Sequence, residues 1–105
     1  MTPFSERVVR LALMVPAGKV TTYGRLAIAA GGGAMASQSI TAILGKAYLA
    51  GEKHIPFHRI VYANGRVWMD DTHRAKRVKL YKQEGIVINE KGMIENFRDT
   101  LFEFK

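Results

Sequence analysis

The chain has 105 residues, 48% of them apolar, and its 16 lysines and arginines outnumber 9 aspartates and glutamates to give a net charge of +7. This length suffices for one hydrophobic core and is short for two, so we expect a single domain over residues 1–105. Such a basic excess is typical of a partner that is a polyanion. Nucleic acid fits better than a membrane, because no apolar stretch approaches the roughly 18 residues of a membrane span.

Localisation and cofactors follow from what the sequence lacks. The N-terminus does not have the layout of a secretory signal peptide, so we expect a cytoplasmic protein, and we expect a monomer. There is no cysteine, which excludes disulfides and thiolate metal sites. His54, His58 and His73 do not have the spacing of a zinc motif. We therefore expect no metal and no cofactor.

The first predicted helix covers residues 3–15, because Thr2 can cap it and Pro3 suits its first turn. Arg7 and Arg10 are predicted to lie away from its apolar stripe. That stripe recurs at helical spacing and consists of Phe4, Val8, Leu11 and Val15.

Two further helices predict a helix-turn-helix. Residues 19–21 should be extended, Thr22 should cap a second helix to about Ala30, and the glycines at 31–33 should end it. Ser37 is predicted to cap a third helix to about Tyr48. Its apolar face would comprise Ile40, Ile43, Leu44 and Ala47, and its outer face Gln38, Thr41, Ala42 and Gly45. The small outer residues allow close approach to either a DNA groove or another helix.

The second half predicts turns and one more helix. Residues 59–62 and 66–69 bracket Asn64-Gly65, which indicates a tight hairpin that would form a wing. Residues 71–84 should form a basic helix ending at Gly85, and residues 87–94 a small second hairpin. The inward side of that helix would comprise Ala75, Val78 and either Leu80 or Tyr81. The aromatic tail should pack back on the domain as helix or strand. The predicted fold class is α+β, mainly helical, with a winged helix-turn-helix.

Four sequence segments together resemble one DNA-repair family. Residues 18–27 read GKVTTYGRLA and residues 55–60 read IPFHRI; with Asn64-Gly65 and residues 83–85, they resemble the C-terminal DNA-binding domain of the O6-alkylguanine-DNA alkyltransferases over roughly residues 4–88. That family carries a Pro-Cys-His-Arg-Val loop whose cysteine accepts the alkyl group, and here Phe57 stands in the cysteine slot. A phenyl ring has no lone pair with which to attack. The closer resemblance is therefore to the alkyltransferase-like proteins, which usually carry tryptophan there.

This resemblance implies a non-enzymatic protein that binds double-stranded DNA containing O6-alkylguanine. Such a protein bends the DNA from the minor groove, rotates the damaged nucleotide into a pocket and marks it for nucleotide excision repair, whose proteins become expected partners. Two other functions are compatible with the residues. One is a winged-helix transcriptional regulator or architectural DNA binder, and the other is a hydrolytic catalyst that uses His58 and Glu84.

The resemblance also implies residue roles. Tyr23 would crowd the phosphate beside the flipped nucleotide, although the residues alone also allow an aromatic packed against the wing. Gln38 takes the place of the family's arginine finger and lacks its charge. The predicted DNA contacts are Tyr23, Ser37, Gln38, Thr41 and Ala42.

The lesion pocket is predicted to be built around the 55–60 motif. Its members are Phe57, His58, Arg59, Ile60, Val61, Trp68 and Met69. Phe57 would form the floor, and Trp68 either stacks on the base or belongs to the core. His58 and Glu84 match a relay that activates the cysteine in the reactive enzymes. A structural hydrogen-bond network is the favoured explanation of that pair and of Arg59, because an unpaired buried partner costs roughly 1–3 kcal/mol.

Overall fold

A computed structural model describes residues 2–33 and 35–104. Three residues lie outside the described ranges, namely Met1, Ala34 and Lys105. Met1 and Lys105 are the two ends of the predicted domain, and Lys105 also ends the predicted tail. The helices are α1 (Pro3–Met14), α2 (Tyr23–Ala29), α3 (Ile40–Leu49), α4 (Arg74–Gln83) and α5 (Phe97–Thr100), and the strands are β1 (Thr21–Thr22) and β2 (Ile60–Val61). Two 3₁₀ turns cover Ala36–Ser39 and Phe57–Arg59. None of the helices in the described ranges has the length and apolarity to cross a membrane.

Helices α1, α2 and α3 pack around one apolar cluster, as the sequence predicted. The Thr2 and Thr22 side chains cap α1 and α2 by accepting from the backbone N–H groups of Ser5 (3.1 Å) and Arg25 (3.0 Å). The cluster is centred on Val8, Ala12, Leu26, Ile40 and Leu44, each at most 1% exposed. Arg7 contacts the end of α2. Its Nε donates to the Ala30 carbonyl at 2.6 Å and so satisfies the C-terminus of α2.

The predicted start of the third helix at Ser37 was wrong. Ser37 lies inside the 3₁₀ turn, α3 starts at Ile40, and no side chain among the described residues caps either element. The reason is tight packing of the turn on the end of α2. A Cβ atom added at Gly32 would lie 2.6 Å from the Ala36 Cβ and 2.8 Å from the Phe4 ring. This close approach fixes the turn where the sequence alone indicated only a cap.

The wing is a turn whose two arms separate after one pair of residues. Strands β1 and β2 are parallel, with Thr21 opposite Ile60 and Thr22 opposite Val61. Tyr62 donates to the Arg66 carbonyl at 2.9 Å, but the Val67 N–H donates to the Gly92 carbonyl at 3.0 Å instead of extending a hairpin. The predicted hairpin over 59–62 and 66–69 is therefore incorrect beyond its turn. The 87–94 turn is confirmed by an antiparallel bridge between Ile88 and Ile94.

Helix α4 differs from its prediction in both length and burial. It begins at Arg74, three residues after the predicted start, and its only buried residue is Tyr81. Ala75 is exposed and Val78 is 48% exposed, so neither faces a core. Tyr81 anchors the helix by donating its hydroxyl to the His58 carbonyl at 2.6 Å. Gly85 ends the helix with a φ of 75°, as predicted.

A second apolar cluster lies on the other side of the sheet. It contains Val20, Val61, Val67, Tyr81, Ile86 and Ile94. The tail contains both a helix and an extended segment, the two predicted alternatives. Helix α5 is followed by Leu101, which forms a parallel bridge with Val20. Phe104 then packs against the first cluster. The tail therefore connects the two clusters across β1.

Thr21 provides a test of this packing. Its side chain is 0% exposed, and its hydroxyl has no hydrogen-bond partner within residues 2–33 and 35–104. A buried unpaired hydroxyl costs roughly 1–3 kcal/mol. We expect Thr21→Val, which keeps the shape and removes the hydroxyl, to leave the free energy of unfolding unchanged or raise it by about 1 kcal/mol in urea denaturation. A loss above about 1 kcal/mol would show that the hydroxyl has a partner in solution.

Candidate nucleic-acid interface

A cleft of about 580 Å³ opens between the helix-turn-helix and the 55–68 segment. We call it the aromatic cleft. It is lined by Tyr23, Ser37, Gln38, Thr41, Leu44, Phe57, Ile60, Tyr62, Trp68 and Arg77. Thr22 caps α2, so Tyr23 is the first residue of that helix, and its side chain lines the cleft. The 3₁₀ turn brings Gln38 to the same opening, and the outer side of α3 contributes Thr41.

One aromatic pair and one cation–π contact form two walls of the cleft. The Tyr23 and Tyr62 rings lie 5.6 Å apart between centroids, and the Arg77 guanidinium lies 4.9 Å from the centre of the Trp68 ring. Burial, reinforced by the neighbouring Tyr62, raises the pKa of the Tyr23 hydroxyl. Tyr23 therefore remains a neutral phenol that can donate a hydrogen bond at neutral pH. The walls present flat aromatic faces with one cation, which suits a planar ligand or a phosphate.

Together with Trp68 and Arg77, Phe57 lines both the aromatic cleft and a neighbouring cavity of about 420 Å³. Its ring packs edge-on against Tyr48, with centroids 5.9 Å apart. His58, the next residue, lines the neighbouring cavity and is not among the lining residues of the aromatic cleft. Within the 3₁₀ turn at Phe57–Arg59, Phe57 alone therefore lines the aromatic cleft.

Behind Phe57, Glu84 holds the motif in place. Its Oε2 accepts from His58 Nε2 at 2.6 Å and from Arg59 Nη2 at 2.8 Å, and its Oε1 accepts from Arg59 Nε at 3.0 Å and from the Gly18 N–H at 3.1 Å. Arg59 also donates to the Val15 carbonyl at 3.0 Å. The Glu84 side chain is 9% exposed. One carboxylate thus connects the motif to the loop after α1.

The ionisation of this network follows from its contacts. Burial opposes the charge on Glu84, but hydrogen bonds from Arg59, His58 and Gly18 outweigh it and lower the pKa of the carboxyl to about 2. Burial lowers the pKa of His58, against the opposing effect of Glu84. At neutral pH His58 is therefore neutral, with its Nε2 hydrogen donated to the Glu84 carboxylate. The carboxylate is shared with Arg59, so the geometry is that of a structural network.

The structure brings most of the predicted site residues together but not all. Tyr23, Ser37, Gln38, Thr41, Phe57, Ile60 and Trp68 share the aromatic cleft. His58 and Arg59 lie behind it. Ala42 lines a separate cavity on the other side of α3 with Ser5. Val61 is 0% exposed in the second cluster, and Met69 packs against that cluster. Neither Val61 nor Met69 lines the aromatic cleft, and the DNA contact predicted for the exposed Ala42 stays a prediction.

Three residues of the cleft were not predicted to line it. Leu44 was assigned to the core face of α3, where it also closes the cleft floor. Tyr62 directly follows β2, and Arg77 lies one helical turn before the buried Tyr81. Residues four apart lie on one side of a helix, so Arg77 could have been placed toward the motif had Tyr81 been known to be buried.

No cluster of three metal-ligating side chains occurs in the part of the chain that the structure describes. The arrangement can stack on a flat group and donate hydrogen bonds to it. Since the sequence contains no cysteine, it offers no thiolate to attack such a group.

Comparisons with known proteins agree with this architecture. The family model for the 6-O-methylguanine DNA methyltransferase, DNA binding domain, matches residues 3–86. A solved structure of S. pombe Atl1 in complex with damaged DNA containing O6-carboxymethylguanine is 22% identical, with a TM-score of 0.75 over 98% of this chain and 97% of that one. A structure of S. pombe ATL in complex with DNA is 24% identical, with a TM-score of 0.74 over the same shares.

The two structures establish the likeness of fold over nearly the whole chain. No curated protein sequence matches the chain. The family model covers most of its length, including the aromatic cleft and the 55–60 motif. The chain therefore belongs to the family of the 6-O-methylguanine DNA methyltransferase DNA-binding domain.

Proposed function

We propose that the protein recognises O6-alkylguanine in double-stranded DNA without catalysing alkyl transfer. The observation that carries this proposal is the aromatic cleft beside the outer side of α3. Its volume of about 580 Å³ lies within the range of ligand pockets, roughly 300–1,000 Å³, and its walls are aromatic faces. Family membership and the fold shared with two DNA complexes support DNA as the ligand.

The cleft suggests how a damaged base is held. The helix-turn-helix binds the minor groove, and the damaged nucleotide rotates out of the stack into the cleft. Extrusion costs a few kcal/mol, and less where pairing is already impaired, which favours a lesion over guanine. Stacking on an aromatic side chain contributes roughly 1–3 kcal/mol per base. Trp68, which is 36% exposed at the cleft, is the residue we assign to that stacking.

The protein acts as a sensor, since Phe57 occupies the position where its reactive relatives carry cysteine. Its ring lines both the cleft and the cavity behind it. His58, Arg59 and Glu84 keep that ring in position and take no chemical part. A bound lesion then marks the site for nucleotide excision repair, as the resemblance to alkyltransferase-like proteins suggests.

Tyr23 and Gln38 have different roles in the extrusion of the damaged nucleotide. Tyr23, at the first turn of α2, crowds the phosphate next to the flipped nucleotide. Gln38 is exposed at the opening of the cleft and hydrogen-bonds the base left without its partner. A glutamine has neither the charge nor the planar stacking surface of guanidinium. The cation of the cleft is supplied from α4 by Arg77 instead.

We expect Tyr23→Ala and Gln38→Ala to reduce the preference for a duplex with O6-methylguanine over the same duplex with guanine. Lys79→Ala should weaken binding to both duplexes equally, because Lys79 is exposed on α4 and is not among the lining residues of the cleft. Fluorescence anisotropy with the two duplexes at one salt concentration measures these ratios. An equal loss of affinity on both duplexes for all three variants would contradict the roles of Tyr23 and Gln38.

A further inference from the structure

A second concave surface lies along α4 and shares no lining residue with the aromatic cleft. This surface, which we call the α4 groove, has a volume of about 640 Å³ and runs between α4 and the 85–92 turn. Its floor includes Tyr81 and Ile86, which are buried. Its rim presents two valines to solvent: Val78 is 48% exposed and Val87 is 56% exposed. The lesion-recognition function makes no use of any of these residues.

The charge around the groove has one dominant sign. Four exposed basic side chains line it, namely Arg66, Arg74, Lys82 and Lys91, against the single carboxylate of Glu90. None of these five takes part in the described salt bridges. The groove therefore combines apolar contact area with unneutralised positive charge, and its complement is an acidic ligand with apolar groups.

The groove and the cleft can be occupied at the same time. They share no lining residue. Arg74, Val78 and Lys82 follow one another at helical spacing on the groove side of α4, whereas Arg77 lies on the cleft side. At roughly 100° per residue, Arg77 lies roughly 60° around the helix from Arg74 and roughly 140° from Lys82. A nucleotide held in the cleft would therefore leave the groove open.

We propose that the α4 groove binds an acidic segment of a partner protein, with apolar side chains seated between Val78 and Val87 and carboxylates paired with the surrounding cations. A protein segment suits the surface better than a second stretch of nucleic acid. Phosphates would pair with the arginines and lysines but would leave both valines exposed, whereas leucine or phenylalanine side chains would bury them. The positive field would also speed association with an acidic segment.

The experiment uses a fluorescein-labelled synthetic peptide in which glutamates alternate with leucine and phenylalanine. A control peptide carries serine in place of every leucine and phenylalanine and keeps the same charge. Anisotropy at near-physiological salt should show saturable binding of the first peptide and at least about tenfold weaker binding of the control. Adding guanine duplex DNA should leave the affinity for the first peptide unchanged.

Two variants of α4 locate the site. Lys82→Glu, in the groove, should weaken peptide binding by about tenfold, whereas Lys79→Glu, on the same helix and outside the groove, should have a much smaller effect. Amide NMR shifts on peptide addition should centre on Val78 and Val87. Equal binding of the two peptides, equal losses in the two variants, shifts centred on Tyr23 and Trp68, or displacement of the peptide by DNA would each overturn the proposal.

Discussion

Replacing Glu84 with alanine should lower the free energy of unfolding by about 3–5 kcal/mol, the range for removing one member of a buried charged network. The change removes the acceptor of the His58 ring and of two of the three Arg59 hydrogen bonds, and both side chains are largely buried, at 11% and 21% exposed. It also removes the acceptor of the Gly18 N–H. Urea unfolding at pH 7 measures the loss. Glu95→Ala, a matched change at an exposed glutamate, should cost less than about 0.5 kcal/mol.

The pH dependence of the same network provides an independent check. The carboxyl of Glu84 has a folded pKa of about 2 against an ordinary value of 4.5. A lowered pKa stabilises the folded state above the ordinary value, and this stabilisation, about 3 kcal/mol, is lost as the pH falls from 4.5 toward 2. Burial also lowers the pKa of His58, so His58 protonation below its ordinary value of 6.5 disfavours the folded state further.

Glu84→Gln should therefore be less stable than the natural protein at pH 7, and the difference should shrink as the pH falls through this window. Unfolding free energies at several pH values between 7 and 2.5 measure it. Parallel curves for the two proteins would mean that Glu84 does not carry the lowered pKa.

Trp68→Ala should weaken binding to a duplex with O6-methylguanine by about 5- to 150-fold, which corresponds to the roughly 1–3 kcal/mol of one base stacked on an aromatic side chain. The fold should survive, because Trp68 is 36% exposed and belongs to neither apolar cluster. Its main contacts are the Arg77 guanidinium and the His73 ring, whose centroid lies 5.6 Å away.

The guanine duplex serves as the internal control for Trp68. Undamaged DNA is held mainly through phosphates, so its affinity should change little in Trp68→Ala. Anisotropy on both duplexes, with thermal unfolding to confirm the fold, separates the outcomes. An equal loss on both duplexes would assign Trp68 to general DNA contact, and no loss on either would place it outside the interface.

Local signals in the sequence predicted the elements that depend on neighbouring residues. Thr2 and Thr22 cap their helices because capping requires only a hydroxyl two or three residues before the N–H it accepts from. Ser37 failed as a cap because its conformation depends on Gly32, which allows close contact with Ala36. The Asn64-Gly65 turn was expected to pair its two arms. The arms instead separate, because the Val67 N–H donates to the Gly92 carbonyl. These contacts join distant residues, and no local pattern encodes them.

The site residues likewise divide into those that the sequence predicted and those whose positions depend on contacts between distant residues. The family resemblance implied roles for Tyr23, Gln38, Phe57 and Trp68 around one flipped nucleotide, and the structure lines one cleft with all four. The backbone near Ile60 and Val61 was predicted to face the base, but successive side chains of a strand face opposite sides, so both side chains cannot line one cleft. Ile60 lines the cleft and Val61 enters the second cluster. Arg77 was missed because its position depends on the burial of Tyr81, which periodicity did not distinguish from that of Leu80.

The preference for a damaged base tests the central claim most directly. Two matched duplexes, one with guanine and one with O6-methylguanine at a single position, are titrated with the natural protein by fluorescence anisotropy at fixed near-physiological salt. We expect the damaged duplex to bind at least about tenfold more tightly, a difference of about 1.4 kcal/mol. Equal affinity for the two duplexes would contradict lesion recognition and favour a winged-helix regulator or architectural DNA binder.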